Sequence, residues 1–248
     1  MNGALADFSR CLVTARVTKH LCFSFQPTDR VLNEKLYVFP LPAFTAFAIL
    51  QSCVHGPWTW LLSSTMKSDL NYSASDCFET FPFPQPDPRT VIPALEEIGQ
   101  RLYDVRAAYM VETQQGLTQT YNRLKDPACI DAPILALRRL HEEMDRAVLD
   151  AYGWSDLTVP PFCPMSAEEH KALEAFQDAV IDRLFVLNAQ RAEEERAAGM
   201  GAKGANKGKG KTAGGGKGKV VGKKGNGRKA NGKPDAAGQG TMFEDDDT

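Results

Sequence analysis

Five prolines, Pro82, Pro84, Pro86, Pro88 and Pro93, stand so close together that neither a helix interior nor a central strand can pass through them. They divide the chain into two differently patterned parts. Ahead of them, Cys11 to Val17 and His20 to Phe25 carry β-branched and aromatic residues in partial alternation, and Lys35 to Phe39 repeats the pattern, which predicts strands. Phe44, Phe47, Leu50 and Val54 fall at helical spacing and predict one short helix, with Gly56-Pro57 as its stop and a polar loop after Trp60. Behind the prolines the period lengthens. Leu95, Ile98, Leu102, Val105 and Tyr109 form one apolar stripe; Leu137, Leu140, Met144, Val148 and Ala151 form a second; Leu173, Phe176, Val180, Leu184 and Leu187 form a third.

These patterns predict an α+β chain. A small partial sheet-plus-helix unit occupies residues 1–88, an all-α helical bundle residues 89–198, and a tail residues 199–248. Ser166 followed three residues later by Glu169 forms a capping box that opens the third helix, and Asp131 before Pro133 suits the start of the second. The helices are expected to pack as a bundle or against the preceding unit. The first strands begin abruptly and make a thin sheet. The expectation is therefore that strand-bearing sequence normally upstream is missing, with a small sheet covered by the Phe44 helix as the alternative.

Residues 199–240 hold fifteen of the twenty glycines and eleven of the twenty-nine lysines and arginines, so this Gly/Lys-rich stretch cannot build a core and is expected to be disordered. Without the tail the charge argument changes, because residues 1–198 carry 18 basic and 26 acidic side chains while residues 1–90 balance at seven each. The acidic excess thus lies on the helices, which makes them poor at gripping a phosphate backbone. The basic tail is expected either to add salt-sensitive affinity for nucleic acid or simply to solvate the chain. Gln239-Gly240-Thr241-Met242-Phe243 resembles the short peptide by which bacterial proteins dock on the sliding clamp, with Gln239, Met242 and Phe243 as its anchors. Six cysteines without a C-x-x-C pair predict free thiols rather than a zinc site. With no apolar run long enough to span a membrane and no secretory signal, a cytoplasmic location is expected.

Three ordered segments carry a family likeness. Phe47 to Pro84 ends in Tyr72-Ser73 and then Phe78-Glu79-Thr80-Phe81-Pro82-Phe83-Pro84; Ala151 to Leu157 reads Ala-Tyr-Gly-Trp-Ser-Asp-Leu; and Leu187-Asn188 precedes Arg191-Ala192-Glu193-Glu194. Together they resemble the end of the target-recognition domain and the C-terminal helices of MmeI-like restriction-modification enzymes and related phage-defence adenine methyltransferases. The resemblance implies a parent enzyme that transfers a methyl group from S-adenosylmethionine to adenine in a specific duplex sequence. Tyr72, Ser73, Phe78, Phe81, Pro82, Phe83 and Pro84, with Tyr152, Gly153 and Trp154, are read as packing residues that mark the family. The expected partners are double-stranded DNA and a separate methyltransferase polypeptide.

Catalytic signals are weaker. Methylation of a base amine uses a polar residue ahead of Pro-Pro and an aromatic residue: the polar group accepts from the amine and the ring stacks on the base. Here the sequence is Val159-Pro160-Pro161-Phe162, and valine accepts no hydrogen bond. His141-Glu142-Glu143-Met144-Asp145 lacks the second histidine of a zinc motif, and Gly210-Lys211-Thr212 lacks the glycine of a phosphate loop, Ala205 standing there instead. No catalytic, cofactor or metal residues are therefore assigned to this chain. Arg16, Lys19, His20, Lys67, Asn71 and Tyr72 are the candidate DNA contacts, because arginine and lysine suit guanine or phosphate and asparagine suits adenine. The leading expectation is a DNA-recognition and scaffold fragment of an adenine methyltransferase without the catalytic core. The alternative is a non-catalytic protein-interaction module with a tail that binds nucleic acid or the clamp.

Overall fold

The computed structural model describes residue 5 and residues 7–66 and 69–197. The tail, its Gln239, Met242 and Phe243 peptide, and Lys67 lie outside the described residues. Two small antiparallel sheets come first. In one, β1 (Arg10–Ala15) lies between β3 (Phe23–Pro27) and β4 (Leu36–Phe39), with Leu12 opposite both Phe25 and Phe39. In the other, β6 (Asp69–Asn71) lies between β2 (Val17–Thr18) and β5 (Ser64–Met66). Strand β1 has buried residues on both faces, Cys11 to Thr14, as expected of a strand flanked by neighbours and covered above and below. The first sheet is the small one covered by the Phe44 helix.

The helix α1 (Phe44–Gln51) stops five residues before the Gly-Pro pair, and that pair instead opens α2 (His55–Leu62). The expectation that Gly56-Pro57 ends a helix is corrected. Pro57 sits in the first turn, where its missing N–H is not needed by the helix. The polar loop expected after Trp60 is likewise replaced by the last turn of α2 and the strands β5 and β6.

Beyond the prolines come α3 (Pro93–Thr113), α4 (Leu117–Leu124), α5 (Ala132–Tyr152) and α6 (Ala167–Ala197). Three follow the stripes, although Val105 is 38% exposed and so lies off the buried line. The capping box forms as read: Glu169 N–H donates to Ser166 Oγ, and the Ser166 N–H donates to the Glu169 carboxylate. Asp131 stands at the N-cap of α5 but makes no side-chain cap; it pairs with Arg123 instead.

One core runs from the sheets through the helices, across the proline run. Phe25 meets Phe44 edge to face at 5.1 Å and Tyr103 at 5.2 Å, an arrangement favoured by the ring quadrupoles. Ala43 offers α1 no cap, so Glu96 of α3 supplies one, accepting from Phe44 N at 3.1 Å and Thr45 N at 2.7 Å. A carboxylate there also meets the positive end of the α1 dipole. At the crossing of α1 and α3, a Cβ on Gly99 would lie 2.7 Å from the Phe44 carbonyl oxygen.

Arg106 of α3 is 2% exposed. Its guanidinium donates to the Phe23 carbonyl at 2.8 Å and the Tyr121 hydroxyl at 3.1 Å, and its centre lies 5.1 Å over the Phe47 ring. Two histidines are buried as neutral rings. Burial pushes His55 and His141 down to about 3, while burial pushes Asp145 up to about 7.

Two predictions arise from this packing. Gly99→Ala forces α1 and α3 apart and is expected to cost about 1–3 kcal/mol in urea unfolding at pH 7. Each histidine loses about 1.4 kcal/mol of stabilisation per pH unit as pH falls from its unfolded value near 6.5, since only the unfolded chain takes up the proton readily. Asp145 acts in the opposite sense, because its folded value is raised and stability is lost as pH rises from about 4 to about 7. These three groups together are expected to lose about 1.4 kcal/mol per unit between about pH 6.5 and pH 4, with His20 adding in the same sense, measured by denaturant unfolding across that range.

Candidate nucleic-acid interface

The two sheets join at Arg16. Its N–H donates to the Lys35 carbonyl at 2.9 Å, beside the first sheet, and its carbonyl accepts from Tyr72 N at 2.8 Å, beside the second. The backbone is thereby held from both sides while the side chain is exposed. The guanidinium lies 5.0 Å over the Tyr37 ring and gives one hydrogen bond to the Glu34 carbonyl. Most of its five donors remain for another molecule.

Asn71 ends β6 directly opposite Val17 on one side and Ser64 on the other. Its Nδ2 donates to Ser64 Oγ at 3.0 Å, and its Oδ1 has no hydrogen-bond partner among the described residues. One amide N–H and the amide oxygen therefore remain available together, the pair that an adenine edge requires. Arg16, Lys35, Tyr37, Ser64 and Asn71 line a single open groove, with Glu34 and Asp76 on its walls. Mixed charge suits the reading of base edges better than the gripping of phosphates. Sequence inspection did not single out Lys35, Tyr37 and Ser64, because they join the groove through the meeting of two sheets rather than through any local pattern.

Of the remaining candidates, Lys19 and His20 lie elsewhere and Tyr72 is buried beneath the groove. Lys19 donates to Asn122 Oδ1 of α4 at 2.7 Å and borders a different cavity. His20 is 8% exposed and its Nε2 pairs with the same amide oxygen at 2.9 Å, so it is a packing residue rather than a surface contact. Desolvation is the largest influence on its ring and lowers its pKa. Tyr72 is corrected most plainly. It is 1% exposed, its hydroxyl meets His55 Nε2 at 3.2 Å, and burial raises its pKa, so its polar tip is spent on His55 rather than offered to the groove.

The signature segments behave as packing elements and meet one another. Phe78 closes a single π-helical turn, Ala74–Phe78, while Phe81, Pro82 and Phe83 are buried. Ser73 Oγ donates to Asp76 at 2.6 Å within that turn. Gly153 ends α5 at φ 73°, a left-handed conformation that glycine adopts without strain. The turn it permits stacks Trp154 on Tyr152 at 4.5 Å, and the Tyr152 hydroxyl donates to the Pro82 carbonyl at 3.0 Å. Arg191 of α6 donates to the Pro84 carbonyl at 3.3 Å.

No grouping of histidine, cysteine, aspartate or glutamate suited to a metal occurs among the described residues, and no described helix is long and apolar enough to cross a membrane. Val159-Pro160-Pro161-Phe162 forms part of the connection from α5 to α6, with Phe162 stacked on His141 at 4.4 Å.

Comparison with known proteins locates this arrangement. Residues 10–85 match the family model described as the MmeI target recognition domain. A curated relative, DNA methyltransferase A of Bacillus subtilis (strain 168), is 30% identical over 125 residues, which is 50% of this chain and 13% of the relative. Among solved structures, the type IIL restriction-modification enzyme MmeI in complex with DNA matches with a TM-score of 0.52 at 21% identity, over 75% of this chain and 22% of that one. This chain thus spans a small part of both longer proteins, and its likeness to the solved one extends past the sheets into the helices. The strands, the groove and the Ala74–Phe78 turn fall in the matched segment, and residues 10–85 are an MmeI-like target recognition domain.

Proposed function

We propose that the chain is the DNA-reading and scaffolding part of a site-specific adenine DNA methyltransferase of the restriction-modification kind, with methyl transfer carried out by a catalytic domain outside residues 10–198. The observation that carries this reading is the target-recognition match over residues 10–85. The groove in that segment supports it, since Arg16 and Asn71 present unused donors and an acceptor side by side. Arg16 suits a guanine edge or a phosphate, and Asn71 an adenine edge. The helices hold the recognition sheets through Glu96, Arg106 and Tyr152, and their acidic surface is turned to scaffolding rather than to phosphate contact. Double-stranded DNA is the partner, together with a methyltransferase domain or polypeptide that supplies the S-adenosylmethionine site.

Selection of duplexes from a random pool by the purified full chain tests the reading. A short enriched sequence is expected, as distinct from the uniform retention that a polycationic tail alone would give. Asn71→Ala is expected to relax the preference at one base pair by about 1–3 kcal/mol, and Arg16→Ala to weaken binding. Uniform retention without enrichment would overturn the assignment. Incubated with labelled S-adenosylmethionine and mixed-sequence duplex, the chain alone is expected to transfer no label; transfer would place the catalytic step within it.

A further inference from the structure

The groove that holds Arg16 also holds the means of orienting it. Arg16 sits in the bend between β1 and β2 with its side chain exposed, so unaided it would sample many rotamers and bond to any acceptor within reach. Two contacts restrict it. Nη1 donates to the Glu34 carbonyl at 3.3 Å, and the guanidinium carbon lies 5.0 Å over the centre of the Tyr37 ring, within the range at which a cation is drawn to an aromatic face. The ring governs the plane of the group, because stacking aligns a guanidinium with the ring while one long hydrogen bond leaves it free to swivel. Tyr37 is itself held. It lies on β4 opposite Thr14 of β1, and its half-buried ring packs against Tyr72 at 5.7 Å. Tyr72 in turn meets Phe23 and Phe39 edge to face at 6.3 Å each. A column of rings thus runs from the core to the groove and ends under Arg16.

The two acceptors open to Arg16 differ in what they ask of it. A phosphate presents oxygens in many directions, and a swivelling arginine satisfies it as well as a fixed one. Guanine presents O6 and N7 in a single plane and calls for two coplanar N–H groups. A rigid platform under the guanidinium helps only the second, since it removes beforehand the rotamer freedom that docking would otherwise cost. Taking the groove as the DNA-reading surface proposed above, we propose that Tyr37 is the positioning residue that turns Arg16 from a phosphate contact into a reader of a guanine edge. Tyr37 touches no base in this role. It acts through the plane of the guanidinium, and it does so with its ring face, so the phenol oxygen is not required.

The test measures binding of the full chain to the duplex it selects, to single base-pair variants of that duplex, and to mixed-sequence duplex. Arg16→Lys keeps the charge but removes the planar fork, so the pair whose preference it relaxes is the one Arg16 reads, and that pair is expected to be G·C. Tyr37→Leu and Tyr37→Met keep an apolar side chain against Tyr72 and remove the aromatic face. Either one, at an unchanged urea midpoint, is expected to lower the preference at that pair by about three- to tenfold. Affinity for mixed-sequence duplex and its salt dependence should stay as in the wild type, because no charge is altered. Tyr37→Phe should keep the full preference, and Tyr37→Leu added to Arg16→Lys should lower it no further. A merely structural role would instead weaken the preference at every pair, the one read by Asn71 included, and would add to Arg16→Lys. That result overturns the assignment, as does an undiminished preference in Tyr37→Leu and Tyr37→Met, a loss in Tyr37→Phe, or an Arg16→Lys variant that changes no single pair. If the wild type selects no sequence at all, the recognition reading itself falls; if it selects one and any of these results appears, only the role of Tyr37 falls.

Discussion

Arg106 carries a permanent positive charge into the seam where the sheets meet the helices, and no carboxylate among the described residues pairs with it there. It is satisfied by the Phe23 carbonyl, the Tyr121 hydroxyl and the Phe47 and Tyr103 rings, contributed by β3, α4, α1 and its own helix. Each of these partners must be in place for the charge to be tolerable, since an unsatisfied buried guanidinium costs several kcal/mol. The guanidinium therefore couples the recognition sheets to the helical half more tightly than apolar contact would. Gln51 extends the junction, its Oε1 accepting from Phe23 N at 2.9 Å and its Nε2 donating to the Leu21 carbonyl at 3.1 Å.

This coupling positions the groove. Arg16 sits in the bend between β1 and the two-residue β2, and Asn71 ends the three-residue β6, elements too short to hold a precise geometry alone. They gain it from the surrounding contacts: the Arg16 backbone is bonded to both sheets, and the second sheet rests on Leu70, fully buried in the common core. The Tyr72 and His55 rings lie directly beneath, packed against Phe23 and Phe81.

What the sequence revealed depended on how locally each feature is determined. The long helices α3, α5 and α6 follow from apolar residues three and four apart, and the α6 start from a Ser-Glu pair whose chemistry is self-contained. The short helix α4 has too few turns to show a stripe, and α2 was hidden by a proline whose meaning depends on its place in the helix. The candidate contacts divided for a similar reason. A tyrosine or histidine beside a strand looks the same whether its polar tip meets solvent or a buried partner, and only the fold gave Tyr72 to His55 and His20 to Asn122. The cavity that Lys19 borders was still less visible, because its lining comes from segments more than a hundred residues apart.

The contact between Tyr152 and the Pro82 carbonyl has a consequence for how such proteins diversify. A sequence boundary at the prolines invites recombination there, with one reading head exchanged for another on an unchanged helical base. The hydroxyl of Tyr152, the guanidinium of Arg191 and the carboxylate of Glu96 all reach back over that boundary to backbone atoms. Because main-chain carbonyls and amides are present whatever side chains surround them, the base can accept a foreign reading head whose backbone follows the same path. If the groove reads DNA as proposed, new specificities would arise by altering its side chains while the grip on the main chain stays the same.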